Sequence, residues 1–241
     1  MVCGQIRMKC SQKTESLISI LKQNTITYSI EKGGFIMFNQ TLLSLNDVYA
    51  DVINCLFFEG EERVLPNDLQ DFSILSYCHN PALINRTVME HEITKFWAKG
   101  EVIFILKVLK NNQTVQELSF NVYDRVASTY YLQKHRHQNI IYPVIPFVLY
   151  FDVEHIWDKE TSIKKQLEIP KDLEPFVNDF QVPVFDVAGL STEQVETFKS
   201  DFYFVADSFS KTRHTPGYVP VHNREMKHFD KVTDFILSFA K

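Results

Sequence analysis

The chain has 241 residues, 45% hydrophobic and 13% aromatic, with twenty Phe and a formal net charge of −5. That size and composition bury a sizeable core, exclude disorder over the whole length, and fit one large domain or one domain with a tail. The negative charge excludes holding nucleic acid by bulk attraction, so any polyanion contact must use a local patch.

Residues 1–36 stand apart. They carry five Lys/Arg and two Asp/Glu, leaving 20 and 28 for the rest, and they show only one short amphipathic stretch at 17–21. The segment reads as a basic extension ahead of a single domain over 37–241. In EKGGFIM (31–37), codons for Lys32-Gly33-Gly34 can spell a bacterial ribosome-binding sequence at ordinary spacing before Met37. The expectation is that Met37 is the true start and 1–36 an over-extended gene prediction, which the DNA sequence decides.

Residues 42–58 place Leu45, Val48, Val52, Ile53 and Leu56 at helical spacing, with Gly60 beyond. Residues 61–71 are charged and contain Pro66, which predicts a loop or a short edge segment. A second helix is expected over 86–98, ending near Gly100. EVIFILKVL (101–109) is nearly all apolar and β-branched, a strand buried on both faces. Residues 121–138 read as a helix whose basic end, Lys134 to His137, suits the helix dipole. Residues 144–151 and 181–185 are two further strands.

Residues 191–210 look like one long helix, with Ser191 and Gln194 at capping-box spacing. A last helix spans 229–239. Buried strands between helices indicate an α/β domain, a central mixed sheet with helices on its faces. The strands 101–109 and 144–151 belong in its interior, adjacent or nearly so. The longest apolar run, 140–151, has twelve residues and two prolines, short of the about 20 a spanning helix needs, so no membrane partner is expected. Cys3, Cys10, Cys55 and Cys78 form no CxxC pair and read as reduced thiols of a cytoplasmic protein.

Most site signatures are missing. There is no GxxxxGK[ST] or GxGxxG loop. His91-Glu92 is followed by Lys95 where a zincin needs His, and Ser208 to Lys211 matches SxxK without the other motifs of that class. His135-Arg136-His137 reads as a solvated basic helix end; Lys134 and Arg136 there could contact phosphate. A metal-dependent phosphodiesterase needs acidic oxygens around Mg²⁺ and an activated water. Asp51 on the first helix and Glu92 ahead of the strand 101–109, which runs out at Asn111-Asn112-Gln113, are the candidates. On pattern alone, two solvated helix carboxylates are the commoner outcome.

Over about residues 47–239 the sequence resembles the Rpn family of recombination-promoting nucleases, often described as PD-(D/E)XK nuclease-family putative transposases. YADVIN (49–54) resembles its first-helix motif and FFEGEERVLPNDLQD (57–71) its "PxDLxD" segment. HEITKFWAKGEV (91–102) resembles "RDxxKxWxxG" before the core strand. YPVIPFVLYF (142–151), with Trp157 and Ser162, resembles the "PVIxxVLYF…W…S" block, and residues 215–237 its C-terminal region. The resemblance implies a restriction-endonuclease-like core and a cytoplasmic DNA endonuclease using Mg²⁺ or Mn²⁺, with DNA as partner. Asp51 and Glu92 would then be metal ligands and Gln113 would orient water or phosphate.

Asn111 stands where the motif has Glu. A neutral amide oxygen holds Mg²⁺ more weakly than a carboxylate, so weak metal binding is expected. The competing expectation is a catalytically inactive relative acting as a DNA- or protein-binding module. A nuclease site would bring Asp51, Glu92 and Asn111 or Gln113 together at one end of the strand, within roughly 8 Å.

Overall fold

Among the described residues, five strands make one mixed sheet in the order β1-β2-β3-β4-β5. They are β1 Leu69–Asp71, β2 Glu92–Trp97, β3 Val102–Lys110, β4 Val144–Phe151 and β5 Val184–Asp186. The computed structural model describes residues 41–72, 92–110, 114–135, 140–215, 217–219 and 223–239, all within one unit, Gln40–Lys241. The extension 1–36 lies outside the described residues. Strands β1, β2 and β3 form an antiparallel meander, while β3, β4 and β5 run parallel.

Helix α1 spans Asn46–Phe57 and precedes the sheet. Helix α2, Val115–His135, is the crossover that a parallel β3–β4 pair requires. It starts earlier than its apolar spacing suggested, because Thr114 Oγ1 accepts the Glu117 N–H (3.2 Å) and Glu117 Oε2 accepts that of Thr114 (3.4 Å). Helices α3 Thr192–Glu196, α4 Phe202–His214 and α5 Phe229–Leu237 follow β5.

The two long apolar strands are interior, as the sequence predicts. β3 is buried from Ile103 to Leu109 and pairs along its length with β4. Side chains alternate across the sheet, so one face carries Phe104, Leu106, Val108, Phe147, Leu149 and Phe151. On that face pack α1, α4 and α5. The other face carries Ile103, Ile105, Leu109, Val144, Val148 and Tyr150, covered by Leu118, Val122 and Val126 of α2.

Two expected elements differ. Of the helix expected over 86–98, the described part is strand β2. Its residues pair one for one with β3, Glu92 opposite Lys107 and Trp97 opposite Val102. The β-branched and aromatic content of EITKFW suits a pleated surface, and pairing with an already apolar neighbour decides the matter. Gly100 closes the turn to β3, where a Cβ would stand 2.1 Å from the Trp97 ring.

The single helix expected over 191–210 is two. Ser191 does cap α3 with the reciprocal Gln194 bonds. The chain then leaves the helix because the Lys199 and Ser200 N–H groups donate to Asp51 Oδ2, at 2.9 and 2.7 Å, instead of to carbonyls one turn back.

Candidate functional site

Asp51 lies on α1, on the sheet face that α4 and α5 share. Its Oδ2 accepts the two N–H groups of Lys199 and Ser200, and its Oδ1 accepts a weak bond from Cys55 Sγ at 3.7 Å. Burial, aided by the neighbouring Asp51 charge, pushes the Cys55 thiol up to about 12, so this thiol is not a poised nucleophile. Asp51 thus joins α1 to the turn ahead of α4. Beside it is a cavity of about 310 Å³ whose walls include Asp47, Asp51, Glu62, Lys199, Asp201 and Lys227.

Two other acids of that cavity wall, Asp47 and Asp201, are also engaged. Asp47 Oδ2 meets Lys227 Nζ at 2.8 Å and His228 Nε2 at 3.1 Å. Burial raises its pKa, but the hydrogen bonds from Lys227 and His228 outweigh that and hold it below the usual value. Asp201 accepts the backbone N–H groups of Lys227 and His228.

Glu92 begins β2 and projects to the opposite face, toward α2. Its side chain is 3% exposed and ion-paired with Arg125 of α2. Lys107 stands opposite it across the β2–β3 ladder and is itself buried. Burial raises the Glu92 carboxyl despite both cations, and burial depresses the Lys107 ammonium despite Glu92. The like charge of Asp124 adds a smaller push in the same direction on Glu92.

The expected convergence of Asp51 and Glu92 is therefore not present: the sheet lies between them. The sequence placed both on helices, where either could turn toward a shared cleft; as the first residue of a strand, Glu92 has its side fixed by alternation. Asn111 and Gln113, the other members of the expected set, lie outside the described residues, as does Arg136. Lys134 is exposed in the last turn of α2. The lysine of the SxxK match has a structural partner: Lys211 Nζ meets Asp207 at 2.7 Å.

Among the described residues, no group of three or more His, Cys, Asp or Glu side chains is arranged to hold a metal ion. Mg²⁺ needs several hard oxygens in near-octahedral array. Asp51 and Glu92 cannot supply them jointly, and the Glu92 carboxylate is already ion-paired with Arg125. These two residues do not fit the metal.

One buried charge escaped the sequence reading. Lys95, in the middle of β2, is 2% exposed on the α1 face. Its ammonium donates to Asn46 Oδ1 at 2.8 Å and to Asp71, whose own side chain is largely exposed. Asn46 in turn donates to the Pro66 and Leu69 carbonyls, both at 3.1 Å. Read as a strand, EITKFW puts Ile93, Lys95 and Trp97 on one face, and a lysine between two apolar neighbours is the signal.

Compared with protein-family models, with curated proteins and with solved structures, the chain gives no match. Among the described residues, no helix is long and apolar enough to cross a membrane.

Proposed function

We propose that this chain is a non-cleaving relative of the Rpn nucleases, which keeps a restriction-endonuclease-like frame and serves as a binding module, with protein rather than DNA as its partner. The observation that carries the reading is the charge around Glu92. A catalytic carboxylate must be free to hold a cation, whereas Glu92 is enclosed by Arg125 and Lys107. Asp51, on the far side of the sheet, is spent on two backbone N–H groups. Asn111 in place of the motif's Glu points the same way.

The balance of charge favours a protein partner. The chain is net negative, and a duplex-binding surface needs clustered cations to displace counterions. Lys134 shares its helix face with exposed aromatic side chains and with acids.

The test is a plasmid-nicking assay in Mg²⁺ and in Mn²⁺ with wild type, Asp51→Ala and Glu92→Ala, together with calorimetric titration of Mn²⁺. The expected result is no nicking above the variants' background and no saturable binding tighter than about 1 mM. Cleavage by wild type that either substitution abolishes overturns the reading and restores the metal-dependent endonuclease, with Asp51 and Glu92 as its ligands. A gel shift on duplex DNA that Lys134→Glu removes would replace protein by DNA as the partner.

A further inference from the structure

Helix α2 covers the second sheet face with Leu118, Val122 and Val126, yet its outward side is not the polar surface an amphipathic helix normally presents. Phe120, Tyr123, Tyr130 and Tyr131 are 37, 50, 38 and 63% exposed. With exposed Ala127 and Lys134 they fall at 120, 123, 127, 130/131 and 134. Steps of three and four make this one continuous stripe along a helix about 31 Å long. Exposed Ile140 and Ile141 extend it, because Gln133 holds the Tyr142 backbone on both sides (2.7 and 3.1 Å) and lays this segment against the last turns of α2.

We infer that this stripe is the contact surface for a second copy of the chain, its α2 helix crossing antiparallel about a twofold axis at Ala127. The arrangement of charge and hydrogen-bonding groups selects that occupant. Exposed acids, Glu117 and Asp124, lie in the first half of the helix, and Lys134 lies at its end. A parallel copy would set like charges side by side, whereas an antiparallel copy sets unlike ends together. The carboxylates disfavour a phosphate backbone or an anionic membrane.

The pairing is self-complementary position by position, as an isologous interface requires. Ala127 meets Ala127, which permits close approach of the backbones. Tyr123 stands opposite Tyr131. Asp124 stands opposite Tyr130, whose hydroxyl accepts the Val144 N–H at 3.1 Å and so keeps its own hydrogen for the partner's carboxylate. Phe120 stands opposite Lys134, a cation over a ring face. A single helix pair with its flanking isoleucines is at the small end of specific interfaces, so the dimer is of moderate affinity. The inference goes beyond the binding-module reading and would hold equally for an active nuclease.

The experiment is sedimentation velocity of the full chain over about 1–200 μM, on wild type and Ala127→Arg. Arginine is a good helix former at this exposed site but places two cations at the axis. The expected result is a concentration-dependent dimer in wild type, weakened at least about tenfold in the variant, with unchanged circular dichroism. A wild type monomeric throughout, or a folded variant that dimerises equally well, overturns the inference. Should Ala127→Arg misfold, a short bis-maleimide applied to Ala127→Cys decides: covalent dimer above the wild-type background supports the axis. Absence of that dimer, or an equal yield from Gln116→Cys far from the axis, overturns it.

Discussion

On one face of the sheet, Phe104, Phe147 and Phe151 meet aromatic rings from α1, β5, α4 and α5; on the other, Glu92, Lys107 and Arg125 bring three charges under α2. The same strands supply both. Strand β2 even sends one buried charge each way, Lys95 to the aromatic side and Glu92 to the other. The difference lies in the company each charge keeps. Lys95 faces Asn46 and an Asp71 that remains in water, so its cost is modest. Glu92 is buried with two cations, which makes it dependent on its neighbours and unfit to hold a metal.

The largest expected effect comes from the aromatic side. Phe147 is fully buried, with the Phe57 ring 5.3 Å away and those of Tyr49, Phe104 and Phe185 within 6.4 Å. Phe147→Ala should cost about 3–5 kcal/mol in urea unfolding. A loss under about 1 kcal/mol would mean that this side is not the main core.

Next comes Arg125→Ala, which leaves the Glu92 carboxylate buried beside Lys107 alone. A loss of about 3 kcal/mol is expected. The double replacement Glu92→Leu with Arg125→Leu should recover most of it, since paired charges exchanged for apolar groups are near neutral. A double variant as unstable as the single would show that packing, not charge, sets the cost.

A pH series tests the Glu92 cluster further. The folded Glu92 pKa is raised above its unfolded value, so the native state binds more protons between the two. The carboxyl's contribution is fully present below the unfolded value of about 4.5 and is lost as pH rises through the folded one. The stability of wild type relative to Glu92→Gln should therefore fall with rising pH above about 4.5 and then level off. Asp152 provides the opposite slope. Burial raises its pKa, but bonds from the Glu154 N–H, the Tyr150 hydroxyl and His155 outweigh this and depress it. Its contribution is present above about 3.8 and is lost as pH falls through the folded value. Chemical unfolding between pH 3 and 7 on wild type, Glu92→Gln and Asp152→Asn reads these slopes, and a Glu92 effect that grows with pH would reverse the assignment.

The smallest effect belongs to Lys95→Met. The Asn46 and Asp71 contacts are both lost, but Asp71 is already in solvent and the stem volume is kept, so the change should stay within about 1 kcal/mol. A loss several times larger would put Lys95 in the same class as Glu92.

Much of the frame was legible in the sequence. The apolar runs at 101–109 and 144–151 named the two interior strands, because residues buried on both faces read the same in any context. The Ser191 cap, the spacing of α1 and the edge position of 61–71 are local chemistry and were equally readable. The segment 86–98 was misread because EITKFW satisfies both periods over so short a window, and only hydrogen bonding to β3 chooses between them. The break in 191–210 could not be seen locally, since the group that takes the N–H bonds of Lys199 and Ser200 is Asp51, nearly 150 residues away.

The candidate acids show the same division. Sequence determined that Asp51 and Glu92 are present, and that a neutral Asn stands at position 111. Tertiary structure alone decided which way they point. A strand's alternation assigns Glu92 to one face, helix packing assigns Asp51 to the other, and desolvation beside Arg125 and Lys107 turns a candidate metal ligand into part of an internal ion cluster. Charge, burial and direction are properties of a side chain's surroundings, and those surroundings are made by residues far apart in the chain.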